Sequence, residues 1–219
     1  MSEIIFNQNR FTQTFYHVFK THIMKIFNLI LFFTASFFGG IKDNNNMSDA
    51  DLERFNSQLT EVKTMINTKA NYNTKIAFFV DMKIKSGKNR FFVYDLVNDK
   101  ILDQGLVANG SGSETKVRGE LIFSNEANSN STSLGKYIVG KSYNGMFGKS
   151  YRLSGLDETN SNALKRAIVL HPYSAVPEEE QDYYISNSHG CPMVSENFFK
   201  RLEKIIDNSK SNIILKVYY

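Results

Sequence analysis

The chain has 219 residues, 42% hydrophobic and 13% aromatic, with a formal net charge of +4. That composition suits one packed domain with extensions and excludes a disordered chain. Lysine and arginine are scattered, with no basic stripe carrying interleaved aromatics, so nucleic acid is not expected as a partner.

Residues 1–25 are polar and basic, and residues 26–41 then carry no charge. Such a run is long for a signal-peptide core and short for a spanning helix. Residues 1–41 therefore read as a leader with an export signal or a membrane anchor, and Met24-Lys25 would make a natural start for it. His17 and His22 fall in this leader and receive no role. Residues 42–74 form a linker and a helix. Ser48 reads as an N-cap, Asp49 and Asp51 fall in the first turn, and Leu52, Phe55, Leu59, Val62 and Ile66 recur at helical spacing over 49–67. The helix is expected to pack on the domain that follows.

From residue 75 the pattern changes to short apolar runs separated by turn residues. Strands are expected over 76–84, 90–96 and 100–108, as an antiparallel meander. Residues 109–133 are rich in Ser, Asn and Gly and read as one long connection, a common place for substrate contacts. Further strands are expected near 136–139, 151–153 and 167–171. Ser195 caps a helix over 196–207, and 212–218 closes as an apolar strand. The fold class is mainly β, a sheet curled into a sandwich or barrel, with an N-terminal amphipathic helix and a C-terminal helix.

The chemistry centres on Ser188-His189-Gly190-Cys191-Pro192, which holds the chain's one cysteine. No internal disulfide can form. The flanking Gly190 and Pro192 are turn formers, which favours a reactive thiol over a buried bystander. His171 stands at the end of the apolar run Ala167-Ile168-Val169-Leu170, where a rigid sheet can fix its ring. A thiol is mostly protonated at neutral pH, and an imidazole brought beside it can take the proton. His171 is the better base. His189, on a tight loop, is the second candidate, either polarising the thiol or contacting substrate. Gly190 would let backbone N–H groups turn toward a developing oxyanion, and Ser188 would brace the same loop. His171, His189 and Cys191 could also make an open zinc site, but no C-x-x-C or H-E-x-x-H accompanies them, so no metal or cofactor is expected.

The Ser-His-Gly-Cys core, with a histidine about twenty residues upstream, resembles the L,D-transpeptidase (YkuD-type) catalytic domain family. The branch with proline after the cysteine is the most similar. Ser133-Leu134-Gly135-Lys136-Tyr137, Gly140-Lys141-Ser142-Tyr143-Asn144-Gly145 and Arg152-Leu153-Ser154-Gly155-Leu156 follow the same pattern, and the likeness covers 76–219. The resemblance implies a catalytic domain over 75–219 and attack by Cys191 on peptidoglycan stem peptides. A thioester would pass to an amine in an L,D-transpeptidase, or to water in an L,D-carboxypeptidase. A non-catalytic peptidoglycan-binding envelope module remains the third reading. It also implies a backbone carbonyl at Pro172 or Tyr173 holding the far nitrogen of His171. Arg152 would grip a stem carboxylate and Tyr143 would line the cleft. One departure matters: Val194 stands where the family pattern often carries arginine, so carboxylate recognition would come from elsewhere or the donor would differ. The expected location is exported, in the periplasm or cell envelope. Oligomeric state is left open.

Overall fold

The Ser48 hydroxyl accepts the Asp51 N–H at 3.2 Å and the Asp51 carboxylate accepts the Ser48 N–H, a capping box that starts α1 (Asp49–Ile66). Phe55, Leu59, Val62 and Ile66 fall on one buried face of that helix. A computed structural model describes residues 47–68 and 71–219 of the chain. The leader expected over 1–41, with His17 and His22, lies outside the described residues. Among the described residues no helix is long and apolar enough to cross a membrane.

Among the described residues nine strands follow: β1 (Tyr72–Asp81), β2 (Phe91–Asp95), β3 (Lys100–Gly105), β4 (Val107–Ala108), β5 (Gly135–Gly145), β6 (Gly148–Gly155), β7 (Val169–Pro172), β8 (Met193–Val194) and β9 (Asn212–Tyr218). Helix α2 (Glu196–Asp207) separates β8 from β9. The strands are hydrogen-bonded in the order β3-β2-β1-β9-β5-β6-β7-β8-β4. Only Leu106 separates β3 from β4, so the two ends of that series are covalent neighbours. The sheet must therefore curl back on itself, which is the mainly β, barrel-like class the sequence implies. The run expected as one strand over 100–108 breaks here because Leu106 carries the chain from β2 across to β8.

Strand β1 is apolar on both faces for a structural reason. Phe78 and Val80 enter the enclosed core with Phe91, Leu153, Leu170 and Phe198, whereas Ala77 and Phe79 face Phe55 of α1. A strand covered on both sides loses the polar alternation of a solvent-facing one. Strands β5 and β6 depart most from expectation. Together they make one long antiparallel hairpin, paired to its tip at Gly145↔Gly148, where strands were expected only near 136–139 and 151–153. The 109–133 connection is held by its own hydroxyls. Ser131 Oγ donates to Gly112 O at 2.6 Å, and Thr132 Oγ1 accepts the Gly110 N–H at 2.9 Å.

Candidate active site

Cys191 lies just before β8, and His171 lies on β7, the parallel neighbour of β8. The His171 N–H donates to Pro192 O at 3.4 Å, so the two segments run side by side. The Cys191 Sγ accepts the Val169 N–H at 3.4 Å, and its own weak donation reaches Ala167 O at 3.9 Å. Among the described residues no hydrogen bond joins this sulfur to the imidazole; the thiol faces the backbone of the strand that carries the histidine. Gly190 holds φ at +110°, and a Cβ there would lie 2.8 Å from Ser131 O. Its glycine is thus required by both backbone conformation and space. Ser188 closes the loop. Its hydroxyl donates to Cys191 O at 2.6 Å and accepts the Gly190 N–H at 3.1 Å. The Gly190 N–H is therefore committed within the loop, whereas the Cys191 N–H has no partner among the described residues.

His171 Nδ1 lies 3.0 Å from Pro172 O. A carbonyl can only accept, so Nδ1 carries the proton and Nε2 keeps its lone pair. Burial lowers the pKa of this imidazole, and the Pro172 carbonyl opposes the shift. Burial likewise raises the Cys191 thiol, opposed by the Val169 N–H and the positive charge of Arg166. Both shifts favour an uncharged thiol and imidazole at rest.

The other residues singled out divide into two groups. Arg152 pairs with Val169, and Tyr151 with Leu170. Strand alternation therefore places Arg152 on the face shared by Val169 and His171, away from the core side where Tyr151 is buried. Tyr143 joins that face, with the Arg152 guanidinium 4.3 Å from its ring centre. Tyr151 instead donates its hydroxyl to Asp207 at 2.7 Å, and so belongs to the packing. His189 is exposed and makes no hydrogen bond or ion pair among the described residues. The acidic run at 178–182 is tied down at two of its carboxylates. Glu178 accepts from Ser195 Oγ and from the Asn197 N–H at the start of α2, and Glu180 accepts the Asn89 N–H.

Three residues that sequence reasoning passed over stand around this site. Arg166 donates to Ser124 O at 2.8 Å, Ser131 O at 2.6 Å and Ser129 Oγ at 3.3 Å, and also to Ser133 Oγ. It clamps the 109–133 connection beside Gly190, and nothing in its local sequence signals this. Arg90 is fully buried and donates to Val107 O, Ile84 O and Asn109 Oδ1, while the Asn109 carbonyl accepts the Ser188 N–H at 2.8 Å. Burial pushes the Arg90 guanidinium down to about 9. Phe147, at the tip of the β5–β6 hairpin, stacks on the His171 ring at 4.2 Å with 18° between planes. Glycines at 145 and 148 bracketing two residues were its readable signal, as a hairpin turn.

A curled β sheet that presents one thiol beside a strand-borne histidine defines a protein of the L,D-transpeptidase fold class. The family model of the L,D-transpeptidase catalytic domain matches residues 46–218, and the chain belongs to that family. Among solved structures, an Enterococcus faecium L,D-transpeptidase mutant is 13% identical, covering 66% of this chain and 50% of its own, with a TM-score of 0.41. The helical cell shape determining protein Pgp2 of Campylobacter jejuni is 10% identical, covering 74% of this chain and 54% of its own, with a TM-score of 0.41. An L,D-transpeptidase from Mycobacterium smegmatis is 12% identical over 66% of this chain and 59% of its own, with a TM-score of 0.39. The chain thus spans about half to six tenths of the length of these structures. No curated protein matches it.

Proposed function

We propose that this protein is a cysteine acyltransferase acting on peptidoglycan stem peptides in the cell envelope, with Cys191 as nucleophile and His171 as base. The observation that carries the reading is the tautomer: Pro172 O holds the Nδ1 proton, which leaves Nε2 ready to accept one, on the strand next to the thiol. This reading requires the Cys191 sulfur to leave Ala167 O and turn toward the imidazole. Nε2 takes the thiol proton as sulfur attacks the carbonyl at the L-centre of the stem. The Cys191 N–H faces the oxyanion, and Ser188 fixes the loop that aims it. Collapse breaks the peptide bond, and the imidazolium returns its proton to the departing D-residue amine. An incoming amine then displaces the thioester sulfur to give an L-D crosslink. Water in its place gives the trimmed tripeptide.

Arg152, in no ion pair among the described residues, offers its guanidinium to a stem carboxylate on the same sheet face, with Tyr143 beneath it. The exported location rests on the uncharged run at 26–41 together with this substrate class. The test is incubation of the full chain, and of Cys191→Ala, with disaccharide-tetrapeptides, followed by product mass analysis. Crosslinked dimers assign transpeptidation and tripeptides assign carboxypeptidation, either being lost in the alanine variant. Neither product, with binding retained in both proteins, would make this a peptidoglycan-binding module instead.

A further inference from the structure

The imidazole of His171 is unusual in what surrounds it. A base that accepts the thiol proton becomes a cation, and a carboxylate or amide commonly supports such an ion. Here the partner of Nδ1 is a backbone carbonyl. The ionisable side chains placed around the ring are Cys191 before β8, Arg152 on β6 and Tyr143 on β5 on the same face, and Tyr173 after β7; none is a carboxylate. Burial works against the cation and only Pro172 O works for it.

The remaining neighbour is Phe147. Its ring lies nearly parallel to the imidazole, with centroids 4.2 Å apart and 18° between planes. Tyr173 meets the same phenyl ring edge-on, at 6.5 Å and 88°. The hairpin tip is shaped to hold that pose. Gly148 adopts φ +73°, and a Cβ on Gly145 would lie 2.7 Å from the Tyr143 ring. A side chain at 145 would therefore push the tip away from Tyr143. Phe147 is nonetheless 42% exposed and Met146 91% exposed, so core burial does not explain a phenylalanine here.

We propose that Phe147 is a positioning residue of this site: its ring face fixes the plane of the His171 imidazole and stabilises the imidazolium formed when Cys191 gives up its proton. The electron-rich face of an aromatic ring attracts a cation placed over it, and a stacked ring also removes rotational freedom from the base. This inference rests on the thiol–imidazole reading above, but its test does not require peptidoglycan.

Cys191 is the chain's one cysteine, so iodoacetamide reports its thiolate alone. The alkylation rate would be measured against pH for the full-length protein and for Phe147→Leu, Phe147→Trp and His171→Ala. Leucine keeps the imidazole covered but has no ring face, whereas alanine would also wet it and confuse the two effects. His171→Ala identifies the His171 ring signals by NMR. The expected result is a fall of about two- to fivefold in the neutral-pH alkylation rate for Phe147→Leu. Its His171 ring should titrate at lower pH than in the parent, and both properties should return in Phe147→Trp. Parent-like titration of His171 in Phe147→Leu, with the fold intact by circular dichroism, overturns the inference. If His171→Ala alkylates like the parent, the thiol–imidazole reading fails instead, and the NMR comparison still decides whether Phe147 stabilises the cation.

Discussion

Replacing Arg166 with alanine should loosen the nucleophile loop and slow the thiol at once. The guanidinium satisfies two backbone carbonyls, Ser124 O at 2.8 Å and Ser131 O at 2.6 Å, and two hydroxyls, on Ser129 and Ser133. Each charge-assisted hydrogen bond is worth about 1.5–3 kcal/mol, but the site is only part-buried and water can replace some of them. A net loss of about 2–4 kcal/mol follows, well below the sum of four. The same cation opposes the burial that raises the Cys191 thiol, so its removal should push that thiol further up. Urea unfolding would read the first effect and the pH profile of iodoacetamide alkylation the second. Arg166→Lys keeps the charge but cannot reach four acceptors from one planar fork, so it should recover the thiol profile better than the stability. A variant Arg166→Ala with parent stability and parent alkylation profile would refute the claim that this clamp shapes the site.

Three other outcomes are expected. Gly190→Ala should cost about 1–3 kcal/mol from the φ of +110° alone, with a further penalty for a Cβ 2.8 Å from Ser131 O, and alkylation of Cys191 should become heterogeneous. Phe55→Ala should destabilise the protein by about 3–5 kcal/mol in urea unfolding, because its ring is fully buried and packs 5.0–5.9 Å from Phe79, Tyr94 and Phe92. The His171 imidazole has a lower pKa folded than unfolded, so below its ordinary pKa the unfolded chain binds the proton first. Stability should therefore fall as pH drops through that range, and His171→Gln should flatten this part of the curve in urea titrations at successive pH values.

The site was partly legible because two of its signals are local. A lone cysteine between Gly190 and Pro192, and a histidine ending an apolar run, can be seen without any fold. The carbonyl partner of His171 also lies one residue away, at Pro172, where the family resemblance put it. The turn expected at Gly190 matches its φ of +110°, while its own N–H is engaged by Ser188 Oγ and the Cys191 N–H is left without a partner among the described residues. The bonds of the acidic run at 178–182 were not legible, because only the approach of α2 and of the turn before β2 reveals what Glu178 and Glu180 bind.

The sequence by itself determined what depends on neighbours within a turn or a pleat. The capping box at Ser48, the apolar stripe of α1, the Ser195 cap of α2 and the two-faced apolar run of β1 all follow from short-range periodicity and capping. Tertiary structure decided everything that required closing the sheet. Leu106 had to swing the chain from β2 to β8. Arg166 had to meet carbonyls 35 and 42 residues away in the chain. Phe147 had to arrive over a histidine carried by another strand. Such contacts depend on which strands pair and in what register, and residue types along the chain leave that choice to the packing of the whole core.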